Sequence, residues 1–214
     1  EILIGLVGSE MCIRDRDGDA ILLATGRGPN TEGLHAERAG VELTKRGAVV
    51  TDKHLRTTAE NIWAAGDVCG NLQFTYISLD DSRIILSDMQ GDGSRTTENR
   101  GAFAYSVFME PSFSRAGLSE KEAADKGLNY RVVRMNTDMI PKAKVLRKTT
   151  GMLKAVIDKD SGKILGAALF CPESYEIINM VKLAMDHDLD YTVLRDFIYT
   201  HPTMSEGLND LFAL

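Results

Sequence analysis

The sequence predicts a chain of two characters, α/β over its first half and α+β over its second. Three observations predict it. Short apolar runs at 20–24 and 61–65 end abruptly in glycine-bearing loops, as buried strands do. Two strand-like runs, 153–158 and 163–170, flank the turn Lys159-Asp160-Ser161-Gly162, the form of a hairpin. Residues 173–187 carry Ile177, Ile178, Val181, Ala184 and Met185 on one helical face.

Composition bounds the possibilities. The 214 residues include 25 Lys plus Arg against 31 Asp plus Glu, a formal charge of −6, with 43% hydrophobic residues. That is an ordinary globular balance, and at roughly 100–200 residues per domain the length suggests one large domain or two small ones. No apolar run reaches the ~18–20 residues of a membrane-spanning helix. An acidic balance without a Lys/Arg cluster argues against nucleic acid and anionic membrane as partners. Cys12, Cys69 and Cys171 are too few and too far apart for a disulfide framework or a zinc site. A soluble protein of a reducing, cytoplasmic compartment is expected.

Residues 1–16 stand apart. The apolar start runs into Met11-Cys12-Ile13-Arg14-Asp15-Arg16, which breaks every period and has the wrong order for a secretory signal. Residues 7–16 resemble translated sequencing-adapter sequence at the ends of metagenomic fragments. The segment reads as a non-native artefact, with a native segment as the alternative.

The elements then follow in order. A buried strand at 20–24 stops at Thr25-Gly26-Arg27-Gly28-Pro29-Asn30. A brief helix is expected at 34–41, strands at 48–51 and 61–68, and a helix at 75–89 with Asp80 and Asp81 in its dipole-favoured first half. The polar, aperiodic stretch 91–100 marks a domain boundary. Beyond it come a strand at 105–109 stopped by Pro111 and a helix opened by the capping box Ser119-Glu120-Lys121-Glu122 and closed at Gly127. A strand at 131–135, the hairpin, the 173–187 helix and a last helix from Thr203 toward Leu211 complete the chain.

Three stretches could carry chemistry. At strand ends, the glycines of Thr25-Gly26-Arg27 and Gly66-Asp67 would let a ligand approach the backbone, and Asp67 could accept from sugar-like hydroxyls. Both are also ordinary turn punctuation. No GxGxxG is present to cradle a pyrophosphate. In His201-Pro202-Thr203-Met204-Ser205-Glu206, an acid could orient the imidazole for proton transfer. Thr203 and Glu206 equally have capping-box spacing. Cys69 and Cys171 read as packing residues, and His35, His54 and His187 have no metal-ligand spacing.

Taken in order, Ala-Thr-Gly-Arg-Gly-Pro-Asn (24–30), Thr-Thr-Ala-Glu-Asn-Ile-Trp-Ala-Ala-Gly-Asp-Val (57–68) and His-Pro-Thr-Met-Ser-Glu (201–206) resemble the flavoprotein pyridine nucleotide–disulfide oxidoreductases. Glutathione reductase, mercuric reductase and dihydrolipoamide dehydrogenase are members. The resemblance covers about residues 19–214. Residues 74–84 and 205–212 look most like a bacterial branch, the reactive-chlorine-resistance flavoproteins, associated with hypothiocyanous acid or cupric ion reduction.

The resemblance implies an incomplete FAD/NAD(P)-binding Rossmann-like portion at 17–98 and an α+β dimerisation domain at 102–214. It implies FAD and NAD(P)H as cofactors, a homodimer, and a small-molecule oxidant or disulfide as substrate; no metal site is expected from the spacing of the histidines and cysteines. Thr25, Gly26 and Arg27 would close the NAD(P) domain, Gly66 and Asp67 would hold the ribityl chain, and Phe74 and Thr75 would face the flavin. His201, oriented by Glu206, would reach the partner subunit's redox disulfide and move the proton of the attacking thiol. The family's Cys-x4-Cys and its dinucleotide fingerprints are not in this sequence, so the chain would be a C-terminal part that is inactive alone. A non-catalytic dimerisation module and an NADH oxidase-like flavoprotein are the alternatives.

Overall fold

The computed structural model describes residues 18–214; the expectation for 1–16, and Cys12 with it, lies outside the described residues. Two compact units divide between Leu86 and Ser87.

The first unit is built from turns. Residues 36–39 and 66–69 form short 3-10 helices, and α1 spans Thr75–Gln90, crossing into the second unit. A small cluster of Ala36, Val41 and Val49, flanked by Ala59, Ala64 and Val68, forms its apolar centre. The strands expected at 20–24, 48–51 and 61–68 form no ladders among the described residues. Among the described residues this unit has only single bridges, Leu43 with Val49 and Arg56 with Trp63. The reason is physical: a strand is defined by hydrogen bonds to a neighbour, and an apolar run supplies none by itself. Ile21, Leu22 and Leu23 are accordingly 75%, 89% and 61% exposed.

The α1 helix forms as its pattern predicts, but its acids do not serve the dipole. No acidic residue lies in its first turn, and Asp80 and Asp81 are buried.

The second unit is a five-stranded antiparallel sheet in the order β1-β2-β5-β4-β3. Its strands are β1 (Ala104–Val107), β2 (Phe113–Gly117), β3 (Tyr130–Asn136), β4 (Met152–Asp158) and β5 (Ile164–Phe170). Its helices are α2 (Glu120–Asp125), α3 (Pro141–Leu146), α4 (Ser174–Asp186), α5 (Thr192–Arg195) and α6 (Gly207–Ala213). The capping box of α2 is complete, with Ser119 and Glu122 bonding each other's backbone. The β4–β5 hairpin turns because the Asp158 carboxylate accepts from the N–H groups of Asp160 and Ser161, at 3.0 and 2.8 Å.

Alternation sets the core face. Ser114 and Ala116 of β2 pair with Leu169 and Ala167 of β5, and these with Leu153 and Ala155 of β4. All six are buried. The α4 helix packs on β1, β2 and β5, and α6 on β3 and β4. The expected α4 stripe is buried at Ile177, Ile178, Val181 and Ala184, with Met185 half-buried at its edge. No helix among the described residues is long and apolar enough to cross a membrane.

Candidate functional site

In the first unit, the two glycine loops come together although 40 residues separate them. Arg27 Nη2 donates to Asp67 Oδ2 at 2.8 Å. Thr25 and Gly26 lead into this pair, both exposed, with Gly26 at φ +106°. Gly66 has φ +74°, and a Cβ there would lie 2.8 Å from Ser78 Oγ of α1. Only glycine permits both the conformation and the approach. The Gly66 N–H donates to the buried carboxylate of Asp81, also on α1, at 2.7 Å. Phe74 opens α1: its carbonyl accepts from the N–H groups of Ile77 and Ser78, at 3.0 and 3.1 Å, and Thr75 begins the helix. The loop that carries Asp67 is thus seated on the first turns of α1.

A cleft of about 520 Å³ adjoins the pair, lined by Arg27, Lys45 and Arg46 together with Gly28, Gly70 and Asn71. With Arg27 paired to Asp67, Lys45 and Arg46 leave the lining with a positive excess, which suits an anionic ligand such as a phosphate ester.

In the second unit, α6 is anchored by Leu208, Leu211 and Phe212, all buried in the sheet's core. At Gly207 a Cβ would lie 2.8 Å from Ile140 Cδ1, so glycine sets how closely α6 seats. Glu206, at the N-terminal end of α6, places Oε2 2.8 Å from His201 Nδ1. The side chains are 14% and 69% exposed respectively. Glu206 Oε1 is buried and accepts no hydrogen bond among the described residues. The capping spacing is realised only by half: Thr203 Oγ1 accepts from the Glu206 N–H at 3.3 Å, while the Glu206 carboxylate turns to the imidazole. An acid on Nδ1 selects the tautomer with the proton there and leaves Nε2 outward as an acceptor.

Cys69 is buried, and Cys171 is a buried free thiol that burial, with Glu173 nearby, pushes up to about 12. That is the opposite of a reactive thiolate. No metal-binding cluster occurs among the described residues.

Comparison with known proteins decides the family. Residues 103–212 match the family "Pyridine nucleotide-disulphide oxidoreductase, dimerisation domain", and residues 9–82 match "Pyridine nucleotide-disulphide oxidoreductase". The chain belongs to the pyridine nucleotide-disulphide oxidoreductases. Among members of this family, the probable pyridine nucleotide-disulfide oxidoreductase RclA of Escherichia coli is 53% identical over 196 residues, 92% of this chain and 44% of that protein. Mercuric reductase of Staphylococcus aureus is 35% identical over 208 residues, 97% of this chain and 37% of its own length. The solved structure of the HOCl-induced flavoprotein disulfide reductase RclA superposes with a TM-score of 0.89 at 52% identity, covering 92% of this chain and 45% of that one. The chain thus spans less than half the length of these oxidoreductases. An RclA-like combination of a partial nucleotide-binding portion and a dimerisation domain with a five-stranded antiparallel sheet accounts for both units.

Two residues important to the geometry had no sequence signal of their own. Asp81 was readable as a helical acid but not as the acceptor for Gly66. Asn209 lies within the 205–212 stretch, but nothing there marked it as a donor to backbone carbonyls.

Proposed function

We propose that this chain is the C-terminal part of an FAD-dependent, NAD(P)H-using disulfide oxidoreductase that works as a cytoplasmic homodimer on a small disulfide or oxidant. Residues 17–98 would complete the nucleotide-binding region and 102–214 would form the dimerisation domain. The observation that carries the reading is the His201–Glu206 pair, with Nδ1 held on a mostly buried carboxylate and the rest of the ring exposed.

The cofactor fit rests on the first unit. Asp67 presents a half-exposed carboxylate above glycine backbone, which suits a polyhydroxyl chain, and the cationic cleft beside it suits a phosphate. Asp67 would hold the ribityl chain, with Thr25, Gly26, Arg27 and Gly66 shaping its loop, and Phe74 and Thr75 would face the flavin across the α1 N-terminus. Bound FAD would supply hydride acceptance from NAD(P)H and electron delivery to a disulfide. Arg27 pairs with one Asp67 carboxylate oxygen, Oδ2, at 2.8 Å.

His201 would act on the partner subunit's redox thiols. A thiolate is the attacking species, so a base that takes the thiol proton and later returns it to the leaving sulfur accelerates exchange in both directions. Glu206 fixes the ring so that Nε2 is the atom that takes the proton and stabilises the imidazolium once formed. In the full-length protein, His201→Ala should lower disulfide turnover by about 10²–10⁴-fold, the range for a lost general acid–base. Flavin content, read by absorbance, should not change. Wild-type turnover in His201→Ala would contradict the proposal.

A further inference from the structure

The His201 segment is held from two sides, and only one of them is Glu206. Asn209 lies on the same helix, three residues beyond Glu206, so the two side chains share an edge of α6. Its Nδ2 lies 3.2 Å from the carbonyl oxygen of Leu194, 2.6 Å from that of Arg195 and 3.0 Å from that of Phe197. An amide NH2 has two protons, so three acceptors mean two bonds with one shared. Those carbonyls end the single turn of α5 and begin the stretch that leads to His201. A helix of four residues cannot satisfy its own last carbonyls, and Asn209 supplies the missing donors from outside. Tyr199 adds a bond within the stretch, its hydroxyl donating to Leu194 O at 3.1 Å. Thr203 adds another, donating to Thr200 O at 2.8 Å. Yet Ile198, between the clamp and the histidine, is 93% exposed. Tyr199 packs against the core and its ring lies 4.9 Å from that of Phe197, so apolar contact holds the middle of the stretch, while the hydrogen bonds to the 194, 195 and 197 carbonyls fix the backbone that leads into it.

We propose that Asn209 is a positioning residue for His201: by clamping the 194, 195 and 197 carbonyls to α6, it fixes the imidazole against the Glu206 carboxylate. This rests on the reading of His201 as the proton-transfer group. The chemistry is specific to an amide donor. A carboxylate at 209 would set oxygen against three carbonyl oxygens, and an aliphatic side chain of similar volume would leave them without a donor.

The test uses the full-length flavoprotein. In wild type, the Asn209 NH2 protons should exchange slowly with solvent, and long-range 1H–15N spectra should show His201 as a single tautomer with the proton on Nδ1. In Asn209→Leu and Asn209→Asp the ring should populate both tautomers. Disulfide turnover should fall between about 10- and 10²-fold, the cost of misplacing a catalytic group by up to about an ångström, with flavin content and the KM for NAD(P)H unchanged. Asn209→Gln, which keeps the amide, should recover most of the single-tautomer signal. In the Glu206→Gln background, Asn209→Leu should lower turnover little further, because both act through one ring. Wild-type ring signals in Asn209→Leu would overturn the inference whatever its melting temperature, as would effects that multiply in the double variant. Rapidly exchanging Asn209 protons in wild type would do the same without any variant. If His201→Ala leaves turnover unchanged, the acid–base reading fails, while the ring spectra still decide the positioning.

Discussion

Ser174→Ala should destabilise the second unit far more than its size suggests, and the amount follows from a chain of four hydroxyls. Ser112 Oγ donates to the Cys171 carbonyl at 3.0 Å. Ser112 also lies 2.8 Å from Ser174, Ser174 lies 2.8 Å from Ser114, and Ser114 lies 2.8 Å from Ser106. Each hydroxyl has one proton, and the carbonyl can only accept. The Ser112 proton is therefore committed, so Ser174 must donate to Ser112, Ser114 to Ser174, and Ser106 to Ser114. Ser112, Ser114 and Ser174 are buried, while Ser106 is half-buried. Removing the Ser174 hydroxyl takes the acceptor from the buried Ser114 proton while Ser106 still donates to Ser114 from the other side. An orphaned buried donor costs about 1–3 kcal/mol, against roughly 0.5–1.5 kcal/mol for a bond whose loss strands no donor. Ser106→Ala belongs to the second class, since it removes a donor and strands none. Ser174→Ala should thus cost about 2 kcal/mol and Ser106→Ala less than half of that. At about 2–4 °C per kcal/mol, Ser174→Ala should lower the melting temperature by about 4–8 °C. The assay is thermal or urea unfolding of the two variants beside wild type. Equal losses for both, or none for Ser174→Ala, would refute the assigned direction of the chain.

Acid should selectively weaken the entry to α2. Hydrogen bonds from the Ser119 side chain and backbone, and then the Arg115 charge, lower the Glu122 carboxyl from 4.5 to about 2. A depressed carboxyl stabilises the fold above its unfolded value and loses that contribution as pH falls through the folded one. The melting difference between wild type and Glu122→Gln should therefore be constant above about pH 4.5 and shrink between there and about pH 2. A difference unchanged across that window would contradict the cause given. Cys171, with its thiol pushed up to about 12 by burial, should resist iodoacetamide at pH 8 in the folded protein and react once it is denatured. Mass spectrometry of the peptide that contains Cys171 reads the result, and rapid folded-state labelling would contradict it.

Much of the second unit was legible in the sequence because its cues are local, although β2, α3 and α5 were not among the expected elements. The Ser119/Glu122 box, the Asp158–Ser161 turn and the Ile177/Ile178/Val181/Ala184 stripe each act within a few residues. In the first unit, apolar runs such as 20–24 carry strand-like patterning, but pairing needs a neighbour that no local pattern specifies. Of the candidate site, His201 and Glu206 were readable with two meanings. The structure gives each meaning to a different atom, the Glu206 N–H to Thr203 and its carboxylate to His201. The Arg27–Asp67 pair, the Asp81–Gly66 anchor and the Asn209 clamp join residues 40, 15 and 12–15 positions apart through side-chain geometry alone. No composition or period marks such pairs.

On the proposed function, His201 and Glu206 serve the redox thiols of the other subunit. Mixed dimers test it directly, formed from one full-length subunit carrying His201→Ala and one whose redox cysteines are replaced by serine. In such a dimer the intact histidine faces the intact thiols only across the interface. Such dimers should show about half of wild-type disulfide turnover, where each parent homodimer is nearly inactive. Mixed dimers as inactive as both parents would contradict it.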